Sequence, residues 1–180
     1  PKLIKIDEQC DMHLQIKPGT DVVLAMGLAA ELERRQALDE AFIAEWVAGF
    51  DPYMAQARQY GLARVVETCG ISAAEFHALA DVMIAAKNMA CAFGNGIERG
   101  RSGGSGLRAA MVLPALLGQH GRLGAGVVAK SGLASPKTRA RLQGDHLIDP
   151  ATRVVNILDV ARLMLDRDQP TPIDAVMLYN

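Results

Sequence analysis

Residues 89–117 read MACAFGNGIERGRSGGSGLRAAMVLPALL, and this stretch is the most informative about the fold class. The short apolar run at 89–93 predicts a buried strand of a parallel sheet. A glycine-rich turn follows, and a helix is predicted from about 106 to 117. Glycines in such a turn let backbone N–H groups approach an anion closely, and the next helix N-terminus adds partial positive charge. The stretch therefore predicts an α/β domain with an anion-binding or nucleotide-binding turn.

The rest of the chain is predicted to alternate strands and helices around this stretch. Residues 20–87 are predicted to be rich in helix, with Thr20 or Asp21 capping the first helix and a capping box at Ser72–Glu75 opening the last. The other predicted elements are strands at 3–6, 12–17 and 174–179, an irregular loop at 127–150 and a helix at 155–165. We expect one α/β domain, or a fragment of one, over residues 1–180, with a Rossmann-like layered sheet and helices on both faces.

The distribution of charge indicates an anionic partner. The chain has 19 basic and 20 acidic residues, yet residues 99–144 contain no Asp or Glu. The eight basic residues of this stretch are Arg99, Arg101, Arg108, Arg122, Lys130, Lys137, Arg139 and Arg141. A solvated surface normally mixes both signs, so a basic stretch without acids favours binding of an anion.

Composition excludes several classes of protein. The three cysteines, Cys10, Cys69 and Cys91, are odd in number and widely spaced, which argues against a disulfide framework or a Cys-based metal site. No apolar run reaches the roughly 18 residues of a membrane span. Charges interrupt the apolar stretches of the N-terminus, so it does not resemble a signal peptide. A cytoplasmic protein without a membrane span is the expectation.

A second strand-to-helix junction lies at Pro18-Gly19-Thr20-Asp21. Asp21 places a carboxylate where a phosphate is normally attracted, so it is either a helix cap or an acceptor for the N–H groups of a guanine edge. His120, within a second glycine cluster at 118–126, is the histidine that we consider a site candidate. No metal-ligand spacing and no Ser, His and Asp cluster is evident, so we predict no catalytic or metal-binding residue in the chain.

Two alternative functions remain open at this point. Residues 104–109, GSGLRA, match the dinucleotide fingerprint G-x-G-x-x-A by letter, but the turn before them is long and the acid expected about 20 residues later is absent. An NAD(P)-binding domain is therefore the first alternative. The second is a non-enzymatic interaction module that uses the basic stretch on nucleic acid or another anion. Because aromatic stacking residues are missing there, we expect no nucleic-acid partner.

Seven segments, in order along the chain, resemble the molybdopterin guanine dinucleotide oxidoreductases of the dimethyl sulfoxide reductase and formate dehydrogenase type. The first of them contains the "PGTD" motif of that family at residues 18–21. The segments are MHLQIKPGTDVVLA at 12–25, LDEAFI at 38–43, GISAAE at 70–75, GIER at 96–99, LLGQHGRLGAG at 116–126, TRVVNI at 152–157 and AVMLYN at 175–180.

The resemblance implies the central cofactor-binding region of a molybdenum or tungsten bis-pterin enzyme. It implies that Gly19, Thr20 and Asp21 contact the guanine end of the dinucleotide, and that Asn95, Gly96 and Arg99 lie close to the cofactor. It also implies that the remaining domains of a parent subunit, with electron-transfer subunits as possible further partners, supply the rest of the enzyme.

The chain also departs from the pattern of that family. The iron–sulfur cysteines and the residue that ligates the metal are absent, and the segment around Asp7-Glu8 is shorter than in the family. We therefore expect an internal fragment of a catalytic subunit that is inactive alone, with any iron–sulfur cluster in a missing N-terminal part. The substrate, for example formate, is not determined by this region.

Overall fold

The computed structural model describes residues 3–100, 103–129 and 144–177. The described residues up to 129 form one compact unit, and those from 144 onward form a second. The first unit contains helices α1 (Asp21–Arg34), α2 (Glu40–Trp46), α3 (Phe50–Ala57), α4 (Leu62–Cys69), α5 (Ala73–Ala85), α6 (Asn95–Glu98) and α7 (Gly103–Leu116), and strands β1 (Ala90–Phe93) and β2 (Gly126–Ala129).

Helix α1 is the centre of the first unit, since α3, α4, α5 and α7 all pack against it. Small residues on α1 permit this crowding. A Cβ atom on Gly27 would lie 2.3 Å from Cγ2 of Val65 on α4. The core is aliphatic with a single buried Phe, as the scarcity of aromatic residues requires. Its most buried members are Ala29, Leu32, Met54, Ala57, Val65, Cys69, Phe76, Ala80 and Leu116.

A β-α-β unit follows these helices. Strand β1 is parallel to β2, with Ala90 opposite Gly126 and Phe93 opposite Ala129, and α6 and α7 form the connection between them. Helix α7 contacts both strands. The α/β class and the helix-rich stretch at 20–87 are confirmed. Within the described residues the sheet has two strands.

Two predicted strands at the start of the chain are wrong. Residues 3–6 enter a 3-10 turn, Lys5–Gln9, because the carboxylate of Asp7 accepts hydrogen bonds from the Ile4 backbone N–H and from Nδ1 of His13. Residues 12–17 are not a strand. The apolar alternation of this segment does predict correctly that Leu14 and Ile16 pack against the core.

The later predictions have mixed outcomes. The loop predicted at 127–150 begins instead as β2, and residues 130–143 lie outside the described part. The second unit contains 3-10 turns at Asp145–Leu147 and Ile157–Asp159, followed by helix α8 (Val160–Leu165). Asn156 is the N-cap of the second of these turns. The predicted last strand is absent at 174–177, and 178–180 are outside the described residues.

Every helix in the described part is too short or too polar to traverse a bilayer.

A buried carboxylate joins α1 to α5. The side chain of Glu31 is 7% exposed. It accepts hydrogen bonds from Arg34 and Arg35, and Nδ1 of His77 lies 3.2 Å from its Oε1. These hydrogen bonds, chiefly those from Arg34, lower the pKa of Glu31 to about 2. Because the folded pKa lies below the usual value of 4.5, the ionised carboxylate stabilises the fold above that pH, and this contribution is lost as the pH falls toward 2.

We expect Glu31→Gln to lower the free energy of unfolding by about 1–3 kcal/mol near neutral pH, because it removes the buried charged acceptor that Arg34 and Arg35 share. The difference from wild type is expected to shrink as the pH falls from 4.5 toward 2. Denaturant titrations at a series of pH values measure this. Glu45→Gln, at an exposed position on α2, is the control. A difference between wild type and Glu31→Gln that does not change with pH would contradict the assignment.

Candidate functional site

The turn before α1 has the features of a type II turn. Pro18 and Gly19 occupy its central positions, Gly19 has φ of +80°, and the Thr20 N–H donates to the Lys17 carbonyl over 3.2 Å. Thr20 is the N-cap residue, but its hydroxyl donates to the Lys17 carbonyl at 2.7 Å and does not cap the helix. The start of α1 therefore has no side-chain cap.

Asp21 is the first residue of α1 and is half-buried. Its carboxylate forms no hydrogen bond or ion pair with any of the described residues. The interpretation of Asp21 as a helix cap is wrong, because Thr20 holds the cap position. A carboxylate at the positive end of a helix dipole, without a protein partner, is available to accept hydrogen bonds from a ligand.

The first glycine cluster packs against this helix start. A Cβ atom on Gly103 would lie 2.0 Å from the carbonyl oxygen of Glu98, so α7 can begin against the backbone of α6 only because residue 103 has no side chain. At Gly106, a Cβ atom would lie 3.4 Å from Ile97 and 3.8 Å from the backbone nitrogen of Val22. The starts of α1 and α7 and the short helix α6 thus meet at one place.

A small pocket of about 40 Å³ lies where these three elements meet. It is lined by Gly19, Asp21, Val22, Gly96, Ile97, Gly100, Gly103 and Gly106. Five of these eight residues are glycines, so much of the wall is backbone, and Asp21 is the ionisable residue among the other three. Cβ atoms built on Gly19 and Gly96 would meet no protein atom within 4 Å, which leaves open space beside both residues.

A larger cavity of about 330 Å³ adjoins this pocket through shared residues, namely Asp21, Gly96 and Ile97. Its walls come from α1, α6, α7, the carboxyl end of β1 and Ile16. Of the described residues that line it, Asp21 alone is ionisable, and the others are Ile16, Leu24, Ala25, Leu28, Ala92, Phe93, Gly94, Gly96, Ile97, Ala110 and Leu113. The cavity is therefore an apolar space with one carboxylate at its edge.

The structure brings three of the six predicted binding residues, Gly19, Asp21 and Gly96, into these two spaces. Thr20 supports the turn through its hydroxyl. The side chains of Asn95 and Arg99, in and just after α6, line neither space and form no hydrogen bond with the described residues. Sequence reasoning missed the apolar wall. The sequence signal for this wall was the apolar alternation at 12–17, which places Ile16 inward. We interpreted that alternation only as a strand.

The second glycine cluster lies elsewhere. It connects α7 to Gly126, which is opposite Ala90 at the start of β1, so it approaches the amino edge of the sheet, whereas Gly94 follows the carboxyl edge. Buried Gln119 accepts the Met89 N–H over 3.0 Å, which holds the start of β1. The two glycine clusters therefore lie toward opposite edges of the sheet. His120, in this cluster, lines neither space.

The structure also locates the apparent dinucleotide fingerprint and part of the basic stretch. Residues 104–109, the apparent dinucleotide fingerprint, lie inside α7 and not in a strand-to-helix turn, which removes the basis for an NAD(P) site there. Of the basic stretch, Arg99, Arg108 and Arg122 lie in the described part and are exposed. The described residues contain no group of three or more His, Cys, Asp or Glu side chains that could hold a metal ion.

Comparison with known proteins identifies relatives over most of the chain. "Probable oxidoreductase YoaE" of Bacillus subtilis is 30% identical over 171 residues, which cover 94% of this chain and 25% of that protein. A nitrate reductase of Synechocystis sp. is 30% identical over 138 residues, or 73% of this chain and 19% of that protein. The chain thus spans a quarter or less of the length of these relatives. No family model matches it.

A solved structure supports the fold. The acetylene hydratase from Pelobacter acetylenicus superposes on 67% of this chain with a TM-score of 0.63, at 24% sequence identity and over 16% of its own length.

We expect Gly103→Ala to destabilise the protein by about 1–3 kcal/mol, because the new methyl group forces α7 away from the Glu98 carbonyl. Gly104→Ala is the matched control, since a Cβ atom there meets nothing within 4 Å and alanine favours the helix. Thermal unfolding of both variants measures the difference. Equal melting temperatures for the two variants would show that the close approach at Gly103 does not constrain the fold.

Proposed function

We propose a cofactor-binding role for this chain, which belongs to the molybdopterin oxidoreductase family. The chain is one segment of a longer catalytic subunit, and it binds the guanine dinucleotide end of a molybdenum or tungsten pterin cofactor. The whole protein is an oxidoreductase, like the probable oxidoreductase and the nitrate reductase to which it is similar, and the isolated segment is inactive.

The observation that carries this proposal is the unpaired carboxylate of Asp21 beside a glycine-lined pocket. A guanine edge presents two adjacent N–H donors, and a carboxylate accepts such a pair with both oxygens. Charge-assisted hydrogen bonds of this kind are roughly twice as strong as neutral ones. The apolar walls of the adjoining cavity provide a surface for the flat faces of a base.

The glycine-lined wall supports binding of the phosphates. Helix α7 is 14 residues long and begins at this wall, so its positive dipole end favours an anion. Arg99 and Asn95 have side chains without partners in the described part, and we assign them contacts at the margin of the cofactor. Gly19 and Gly96 leave the space that the ligand needs, and Thr20 holds the turn.

The cofactor, when bound, supplies the redox chemistry at its metal. The residues of this chain bind and orient its distant end, which fixes the metal end within domains that this segment does not contain. Any iron–sulfur cluster and the metal ligand belong to those other domains, and subunits that exchange electrons with the enzyme are further partners.

We expect Asp21→Asn in the full-length protein to weaken retention of the cofactor by about tenfold to a hundredfold, since a charged acceptor is replaced by a neutral one. The protein is purified from cells that make the cofactor. Metal content by mass spectrometry and guanine nucleotide released by acid hydrolysis measure the bound cofactor.

Asp51→Asn is the matched control, because Asp51 lies in the first turn of α3 and lines neither space of the site. It is expected to keep wild-type contents of metal and guanine. If Asp21→Asn also keeps both, the proposed role of this segment is wrong.

A further inference from the structure

Lys17 is the hydrogen-bonding centre of the turn that precedes Asp21. Its backbone N–H donates to the Cys69 carbonyl over 2.8 Å, and its side-chain Nζ donates to the Glu67 carbonyl over 3.1 Å. Its own carbonyl accepts from both the N–H and the hydroxyl of Thr20. One residue therefore links the turn before α1 to the C-terminal end of α4.

The ammonium group of Lys17 satisfies a helix end. The last carbonyls of a helix have no partners within it and form the negative end of its dipole, so a lysine there is favourable. A lysine beside an anion-binding turn would ordinarily be assigned to the anion. Since Nζ donates to the Glu67 carbonyl, the geometry assigns Lys17 to α4 instead.

A second contact joins the same two elements. The thiol of Cys69, which is 0% exposed, donates to the Thr20 carbonyl over 3.7 Å. Gly70, with φ of +72°, ends α4, and a Cβ atom there would lie 2.9 Å from Cε of Lys17. The end of α4 is thus shaped to receive the turn and the stem of this lysine.

We propose that Lys17 is a positioning residue, which fixes the Lys17–Thr20 turn to the end of α4 and so holds the Asp21 carboxylate at the glycine-lined pocket. This inference rests on the proposed cofactor-binding role. It adds that the position of the Asp21 carboxylate depends on the ammonium group of Lys17, which does not contact the ligand.

The test compares loss of cofactor from the full-length protein carrying Lys17→Met, Lys17→Arg, Asp39→Ala or Asp21→Asn. Metal and guanine nucleotide that remain after gel filtration are followed over time, well below all melting temperatures. Lys17→Met keeps an apolar stem but removes the donor, so loss of cofactor is expected to be about threefold to tenfold faster than in wild type. Lys17→Arg keeps a cationic donor and is expected to restore slow loss.

Asp39→Ala controls for stability alone, because it removes the side-chain cap of α2 and touches neither the turn nor the pocket. It is expected to lower the melting temperature without hastening loss of cofactor. If Lys17→Met does not fold, Lys17→Gln, whose side chain is shorter and uncharged, takes its place with the same expectation of faster loss.

The outcomes separate the two proposals. Faster loss in Lys17→Met, with retention in Lys17→Arg and Asp39→Ala, supports the positioning role. Slow loss in Lys17→Met, together with fast loss in Asp21→Asn, overturns the positioning role and leaves the cofactor-binding role intact. Slow loss in both overturns both.

Discussion

The candidate site depends on one close backbone contact, between Gly103 at the start of α7 and the Glu98 carbonyl at the end of α6. This contact sets how far α7 can approach the turn after β1. That distance in turn decides whether Gly106 reaches Ile97 and the amide of Val22. Because protein interiors are close-packed, a methyl group at this contact would shift a whole helix. The site therefore depends more on glycines, which lack a side chain, than on large side chains.

The features set by local chemistry were predictable from sequence. The capping box at Ser72–Glu75 forms as expected, with Ser72 accepting the Glu75 N–H and Glu75 accepting the Ser72 N–H. The strand at 89–93 and the helix after the first glycine cluster are also present. Each of these depends on residues no more than a few positions apart, where periodicity and capping rules are strongest.

The failed predictions depended on partners that are distant in sequence. The alternation at 12–17 does partly bury Leu14 and Ile16 against the core, but no strand among the described residues pairs with this segment, and the Lys17 N–H donates to the end of α4. A period of two predicts which side chains point inward and does not predict what receives the backbone hydrogen bonds. In the same way, the two glycine clusters are alike in composition, but composition does not predict where they lie. The parallel register of β1 and β2 places them toward opposite edges of the sheet. The second cluster serves packing, as Gly118 lies against the Asp39 side chain that caps α2.

The charges of the site restrict which ligand orientation it favours. Two like charges about 4 Å apart repel by about 4 kcal/mol at an effective dielectric constant near 20, so a phosphate placed beside the Asp21 carboxylate is unfavourable. Lys17 forms no ion pair with this carboxylate among the described residues; its ammonium group donates to the Glu67 carbonyl. A ligand that combines phosphates with N–H donors is therefore favoured with its donors toward Asp21 and its phosphates along the glycine backbone. A dinucleotide with a guanine at one end has both groups, and a free phosphate has only one of them. The unpaired aspartate thus adds selectivity to a wall whose backbone N–H groups alone would favour any small anion.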